Sequence, residues 1–266
     1  MPSLTLTAMA VLIFMNGIIF TMLGQGGGIL YTPIQLFFGI EFQKAAATSL
    51  ILIMVSSFSS TLVFRKAHKV DWAVGLSLES GTTLGAFCGG WLSYSLTDNH
   101  LSTLFAGVIL FASIFMLRDW TRIPACPDGP STIFAWKRRL GADRYCVNLP
   151  LAWPVSFVSG VLSGLMGISG GLLKIPLLVI LFRVPMEIAV ASSSFMVGLT
   201  AAGGLAGHLV GGTIDWKTTL ILAPVVFVAA QLGARESLAV NEVKLKKIFG
   251  AFLILIAAAM IARVLL

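Results

Sequence analysis

Gly24-Gln25-Gly26-Gly27-Gly28-Ile29-Leu30-Tyr31-Thr32-Pro33 returns 143 residues later as Gly167-Ile168-Ser169-Gly170-Gly171-Leu172-Leu173-Lys174-Ile175-Pro176. Five of the ten positions are identical, and each copy interrupts a long apolar segment. In a lipid-embedded chain, glycine-broken segments at matching places in two halves point to a solute site between them.

Composition supplies the lipid setting. Hydrophobic residues make up 57% of the 266 and charged residues 11%, against roughly 25% charged in soluble domains. Mean hydropathy is +0.95. A soluble fold has no way to hide so much apolar surface, so the class is a polytopic membrane protein, all-α. The first charged residues are Glu41 and Lys44. Without a basic n-region the N-terminal stretch reads as a retained helix rather than a signal peptide. The net charge of +7 falls mostly in loops, where membrane orientation explains it, and no nucleic-acid motif is present. Cys88, Cys126 and Cys146 have no metal-ligand spacing. The latter two are expected as thiols in a reducing central loop, and no metal or cofactor is implied. A thiol enzyme at Cys88 would need an adjacent base, and neither His68 nor His208 is placed for that by sequence, so no enzymatic activity is expected.

The apolar segments run approximately 4–23, 29–40, 45–64, 72–96, 101–117, 151–168, 172–182, 186–210, 218–234 and 247–266. Segments 29–40 and 172–182 would span under about 20 Å as helices, too short for a core of about 30 Å. The duplication continues beyond the glycines. Ala45-Ala46-Ala47-Thr48-Ser49 resembles Ala189-Val190-Ala191-Ser192-Ser193, and Val70-Asp71-Trp72 resembles Ile214-Asp215-Trp216, both 144 residues apart. The two Asp-Trp pairs fit helix caps with interfacial aromatic anchors.

Cytoplasmic loops collect Lys and Arg. Here the basic clusters are Arg65, Lys66 and Lys69; then Arg118, Arg122, Lys137, Arg138, Arg139 and Arg144; then Arg235, Lys244, Lys246 and Lys247. Eight simple crossings would put the last cluster opposite the other two. If 4–40 and 151–182 instead form re-entrant hairpins, each half has three crossings and all three clusters share one side. The expected organisation is two inverted repeats, 1–118 and 151–266, each a glycine-broken hairpin plus three transmembrane helices. A cytoplasmic loop, 119–150, joins them, and both termini lie on the outer side. Within that loop, residues 131–140 mix aromatic and basic side chains as a membrane-surface segment does.

A backbone break in hydrocarbon leaves N–H groups unpaired at several kcal/mol each. The helix that follows points its positive end at the break, and glycine lets a ligand approach the backbone closely. Two such ends suit a small oxyanion. The candidate substrate-binding residues are Gln25, Gly26, Gly27, Gly28, Thr48, Ser49, Ser169, Gly170, Gly171, Lys174, Ser192 and Ser193. For the glycines the alternative is helix packing alone, as expected of Gly81, Gly85 and Gly89 and of Gly203, Gly207 and Gly211. For the hydroxyls, Ser194 included, it is local capping or back-bonding. Lys174 is either a counter-charge to the substrate or a snorkelling side chain. Glu79 is either a proton carrier or a hydrogen-bonded structural carboxyl. His68 and His208, near segment ends, read as interfacial.

The Gly-Gly-Gly and Ser-Gly-Gly breaks before proline, the Thr-Ser and Ser-Ser helix starts and the paired Asp-Trp turns resemble the TauE/SafE family of sulfite exporters across both halves. The resemblance implies a secondary transporter, in the export direction, of sulfite, sulfonates such as sulfoacetate or related sulfur-containing anions across the cytoplasmic (inner) membrane. Its partners would be the small anion and membrane lipid, with a homodimer compatible. The competing readings are an anion channel of the same fold and a non-transporting assembly subunit.

Overall fold

Helix α1 (Ser3–Met22) is apolar along its length and stops at the first glycine motif. Gly24 (φ +69°) and Gly26 (φ +59°) take the left-handed backbone that ends it, a conformation open to glycine at little steric cost. This is a computed structural model, describing residues 3–26, 28–96, 136–141, 143–166, 171–182, 184–209, 214–240 and six isolated positions. Helix α2 (Gly28–Phe37) is 10 residues long with Pro33 inside, about 15 Å. Helices α3 (Phe42–Lys66) and α4 (Trp72–Leu92) complete the described first half. The second half repeats this order as α5 (Leu149–Met166), α6 (Gly171–Pro176), α7 (Met186–His208) and α8 (Trp216–Ser237). Past Pro176, α6 widens into a π turn over Leu177–Leu181, consistent with the N–H that proline lacks. Expected segments 101–117 and 247–266 lie outside the described residues, isolated positions aside.

Thr5–Met22, Phe42–Lys66, Met186–His208 and Trp216–Ser237 are each long and apolar enough to cross a membrane. As expected, α2 and α6 are not. Asp71 caps α4 by accepting from Ala73 N and Val74 N, and Asp215 caps α8 by accepting from Thr218 N. Trp72 and Trp216, beside these caps, are exposed.

The halves interlock. Helix α4 packs on α5 and α7, while α8 packs on α1 and α3; α3 meets α7 at the centre. Exchanging the halves maps this pattern onto itself. Matched glycines allow it. A Cβ at Gly89 would run into the Val161 carbonyl, and one at Gly233 into the Ile18 carbonyl; each member of the second pair is the repeat equivalent of one in the first. Gly81 and Gly85 likewise abut Trp153 and Phe157 of α5, while Gly203 and Gly207 abut Thr83 and Phe87 of α4. The expectation that these glycines serve helix contacts is met; Gly211 lies outside the described residues.

An all-helical chain is corrected at 136–147, where β1 (Trp136–Leu140) and β2 (Asp143–Val147) pair antiparallel. Gly141 (φ +60°) supplies the left-handed turn between them. Residues 136–140 are therefore not a segment lying alone on the membrane surface. Tyr145 and Val147 join a core with Val74, Leu78, Leu178 and Met196, flanked by Trp136 and Leu140. Burying one side of the hairpin on α4, α7 and the π turn is the reason the aromatic residues recur there. Cys146 is disulfide-bonded rather than the free thiol expected, and Cys88 is a free, exposed thiol.

Candidate functional site

The two glycine breaks adjoin. A Cβ added at Gly171 would stand 3.2 Å from Gln25 Cα and 2.8 Å from Val197 Cγ2. One added at Gly26 would stand 3.2 Å from Val197 Cγ1 and 3.2 Å from Ser56 Oγ. Val197 of α7 thus lies between both motifs. One face of α7 runs past the first break, because Val190 abuts Gly24 and positions 190, 194 and 197 are helical neighbours. Gln25 is completely buried. Gly28 opens α2. Gly27, Ser169 and Gly170 lie outside the described residues.

All four candidate hydroxyls at the helix starts are buried, and they divide into two groups. Ser49 Oγ accepts from Gln35 Nε2 at 2.8 Å, and Ser192 Oγ accepts from Asp71 N at 2.9 Å. These two are engaged in hydrogen bonds within the protein. Thr48 Oγ1 and Ser193 Oγ, with neighbouring Ser194 Oγ, have no hydrogen-bond partner among the described residues. Buried hydroxyls without partners cost roughly 1–3 kcal/mol each, so they are places where a ligand oxygen is favoured. Gln35 escapes the sequence reading, although a lone amide in a short apolar helix was the available signal.

Lys174 and Glu79 come together. Lys174 Nζ donates to Glu79 Oε2 at 2.7 Å and also to Thr200 Oγ1. Thr200 in turn donates to Glu79 Oε1, which receives Thr83 Oγ1 at 3.1 Å. The lysine side chain is 3% exposed and the glutamate 2%. Snorkelling is therefore corrected: the ammonium turns into the protein, where a charge-assisted network meets it. Lys174 follows Gly171 by three residues and Thr200 follows Val197 by three, so this network is one helical turn beyond the contact between the breaks. The first half has no copy of it. The repeat equivalents of Lys174, Thr200 and Glu79 are Tyr31, Ser56 and Ala223, and Ser56 Oγ donates to the Gly26 carbonyl. Sequence gives no signal for Thr200, because one threonine in an apolar helix is silent without its partners.

A second cluster ties the hairpin to α4. Arg138 forks onto Asp71, Nη2 to Oδ1 at 2.8 Å and Nε to Oδ2 at 3.2 Å, and the Tyr145 hydroxyl donates to Oδ2. Burial opposes the Asp71 charge, but the Arg138, Tyr145 and backbone hydrogen bonds outweigh it and hold its carboxyl below the usual range. His208 is buried with Nε2 against the Gly164 carbonyl at 3.1 Å, which corrects its interfacial reading; His68 is exposed. Among the described residues no cluster of His, Cys, Asp and Glu is suited to a metal ion.

A family model described as Sulfite exporter TauE/SafE matches residues 9–260. The chain is 29% identical to the probable membrane transporter protein YunE of Bacillus subtilis, over 95% of this chain and 96% of the relative. It is 26% identical to the probable membrane transporter protein MJ0441 of Methanocaldococcus jannaschii, over 84% and 82%. A probable membrane transporter protein of Xylella fastidiosa is 24% identical over 91% and 89%. No solved structure matches.

Proposed function

The chain belongs to the TauE/SafE sulfite exporter family of multi-pass membrane transporters, and from that premise we propose that it exports small sulfur-containing anions such as sulfite or organosulfonates by alternating access around its paired glycine breaks. The observation that carries this reading is the approach of Gly171 to Gln25, which joins the two motifs at one place. The anion is held by backbone N–H groups at 26–28 and 169–171, and the buried hydroxyls of Thr48, Ser193 and Ser194, which have no partner among the described residues, offer it further donors. Lys174 supplies the positive charge. The reaction is transport, not chemistry on the substrate.

The halves are inverted repeats in this reading, with 4–40 and 151–182 as re-entrant hairpins. Supporting it are the short α2 and α6 and a helix contact pattern that survives exchange of the halves. Fourteen of the 18 Lys and Arg residues, the three basic clusters and Arg183, then face the cytoplasm, together with the 119–150 loop, and the termini face outward. The Cys146 disulfide is the contrary observation, because disulfides are rare in reducing compartments. The path lies within one chain, so function requires no homodimer. An inside-negative potential favours anion exit by about 2.3 kcal/mol per charge per 100 mV.

The test is thermal stability of the purified protein in detergent with sulfite, thiosulfate, sulfate, sulfoacetate, taurine and chloride, since native-state binding raises the melting temperature. A selective rise with sulfite or a sulfonate, lost in Gly27→Leu and Gly170→Leu, supports the reading. Equal rises in those variants contradict it. An anion channel would pass the same anions at rates without saturation, and an assembly subunit would show no ligand shift.

A further inference from the structure

Glu79 already places a carboxylate where an anion would be welcome. Its Oε2 takes the Lys174 ammonium, and its Oε1 takes the Thr200 and Thr83 hydroxyls. These are the donors a sulfonate or sulfite oxygen set would use. The network sits one helical turn from the junction of the two breaks, on the same α6–α7 contact.

Net charge then sets a constraint. The site as found is neutral, one ammonium with one carboxylate. An anion arriving beside that pair would leave a net negative charge buried in low dielectric, which is strongly disfavoured. For a monoanion neutrality is kept if a proton arrives as well and Glu79 lets go of Lys174; for a dianion the same proton halves the excess charge. Among the described residues packed around the pair, no other ionisable group stands ready to take that proton. Among the described residues, α5 carries none, and α6 with its π turn carries only Lys174. Helix α7 carries only Glu187 and His208, at its two ends, and α4 carries only Glu79 and Cys88, the latter exposed. Asp71, Arg138 and Tyr145 are bound to one another two turns away along α4.

We propose that Glu79 is the resident counter-ion of an anion site formed by Lys174 and Thr200, and that the transported anion takes over these donors as Glu79 accepts one proton, so that each anion travels with one proton. This rests on the paired-break reading above and adds its coupling. The step makes and breaks no covalent bond other than the carboxyl O–H: the proton comes from water on the loading side and leaves on the release side, and Lys174 stays an ammonium throughout. A dianion carried this way still moves one net negative charge, so the membrane potential still favours its exit. A monoanion is carried without net charge. The asymmetry of the repeats fits, because Tyr31, Ser56 and Ala223 offer neither a cation nor a carboxylate, giving one coupling site per chain rather than two.

The test is calorimetric titration of the full-length protein in detergent with sulfoacetate, whose acid groups stay ionised between about pH 6 and 8. Buffers of different ionisation enthalpy report the protons taken up. Wild type is expected to take up about one proton per anion, with Kd weakening about tenfold per pH unit on the alkaline side. Glu79→Gln, which keeps the shape and a donor to the site, is expected to bind with no proton uptake and a flat pH profile, and Lys174→Met to lose binding. Wild-type binding that takes up no proton and ignores pH overturns the coupling while leaving the paired-break site standing. Binding that survives Lys174→Met overturns the Lys174 site. No binding to wild type by sulfoacetate or sulfite overturns this proposal together with the reading it rests on.

Discussion

Lys174 Nζ donates to Glu79 Oε2 across 2.7 Å, and the two residues belong to opposite halves of a duplicated chain. The bond pins the short helix behind the second glycine break to α4 of the first half. Anything that moves one half against the other must stretch or replace it, which makes this pair both a structural tie and the natural place for a ligand to act.

Removing one partner should therefore cost more than removing both. Lys174→Met leaves a buried carboxylate without its cation and is expected to destabilise by about 3–5 kcal/mol. Adding Glu79→Leu to Lys174→Met should recover most of that loss, because the remaining hydroxyls can bond to helix carbonyls. Denaturant unfolding in detergent of the two single variants and the double variant measures the coupling. Additive losses would contradict it.

Helix contact at the glycines gives a sharper stability test. A Cβ at Gly164 would meet the Ala86 carbonyl, and one at Gly85 the Phe157 carbonyl. Gly164→Ala and Gly85→Ala are expected to destabilise by about 1–3 kcal/mol through overpacking. Gly107 is helical, and among the described residues nothing lies within 4 Å of an added Cβ, so Gly107→Ala should be neutral or stabilising by up to about 1 kcal/mol. Melting temperatures of the three variants check this.

Acid should release the hairpin through Asp71. Its folded carboxyl is held below the usual value, mainly by Arg138 against the opposing burial. A depressed carboxyl contributes stability that is complete above the unfolded value of about 3.9 and is lost as pH falls through the folded value. Asp71→Asn should be less stable than wild type at neutral pH, and the gap should close in acid. The measurement is melting temperature against pH for both proteins. A constant gap would show that the carboxylate charge is not what matters.

Topology can be read at Cys146. With the 119–150 loop cytoplasmic, a membrane-impermeant maleimide applied to intact right-side-out cells should leave Cys146 unlabelled in a Cys88→Ser, Cys126→Ser protein, where it is the one remaining cysteine. Permeabilised cells should label. Labelling from outside would reverse the orientation, and the disulfide would then stand in an oxidising compartment.

Most of the helical order was legible because lipid imposes it: long apolar runs end at glycine, at Asp-Trp caps or at basic loops, and the described helices follow those marks within a few residues. The break regions were legible because the duplication repeats them. What was not legible depends on partners distant in sequence. Thr200 acquires its role only when α7 sets it between Lys174 and Glu79. Lys174 looked able to snorkel because a sequence does not show which way a short helix turns. Arg138 and Tyr145 read as loop residues, and only strand pairing brings both onto Asp71. His208, at a helix end, is buried by α5, whose approach depends on glycines of both helices.

The most direct measurement is sulfite efflux from proteoliposomes under an inside-negative potential, for wild type and for Gly27→Leu and Gly171→Leu proteins shown to be folded by size-exclusion chromatography and circular dichroism. Saturable wild-type efflux is expected, with a loss of about a hundredfold or more in both variants, as a 1 Å displacement at a tight site can produce. Folded variants that export sulfite at the wild-type rate would contradict a substrate site at the paired glycine breaks.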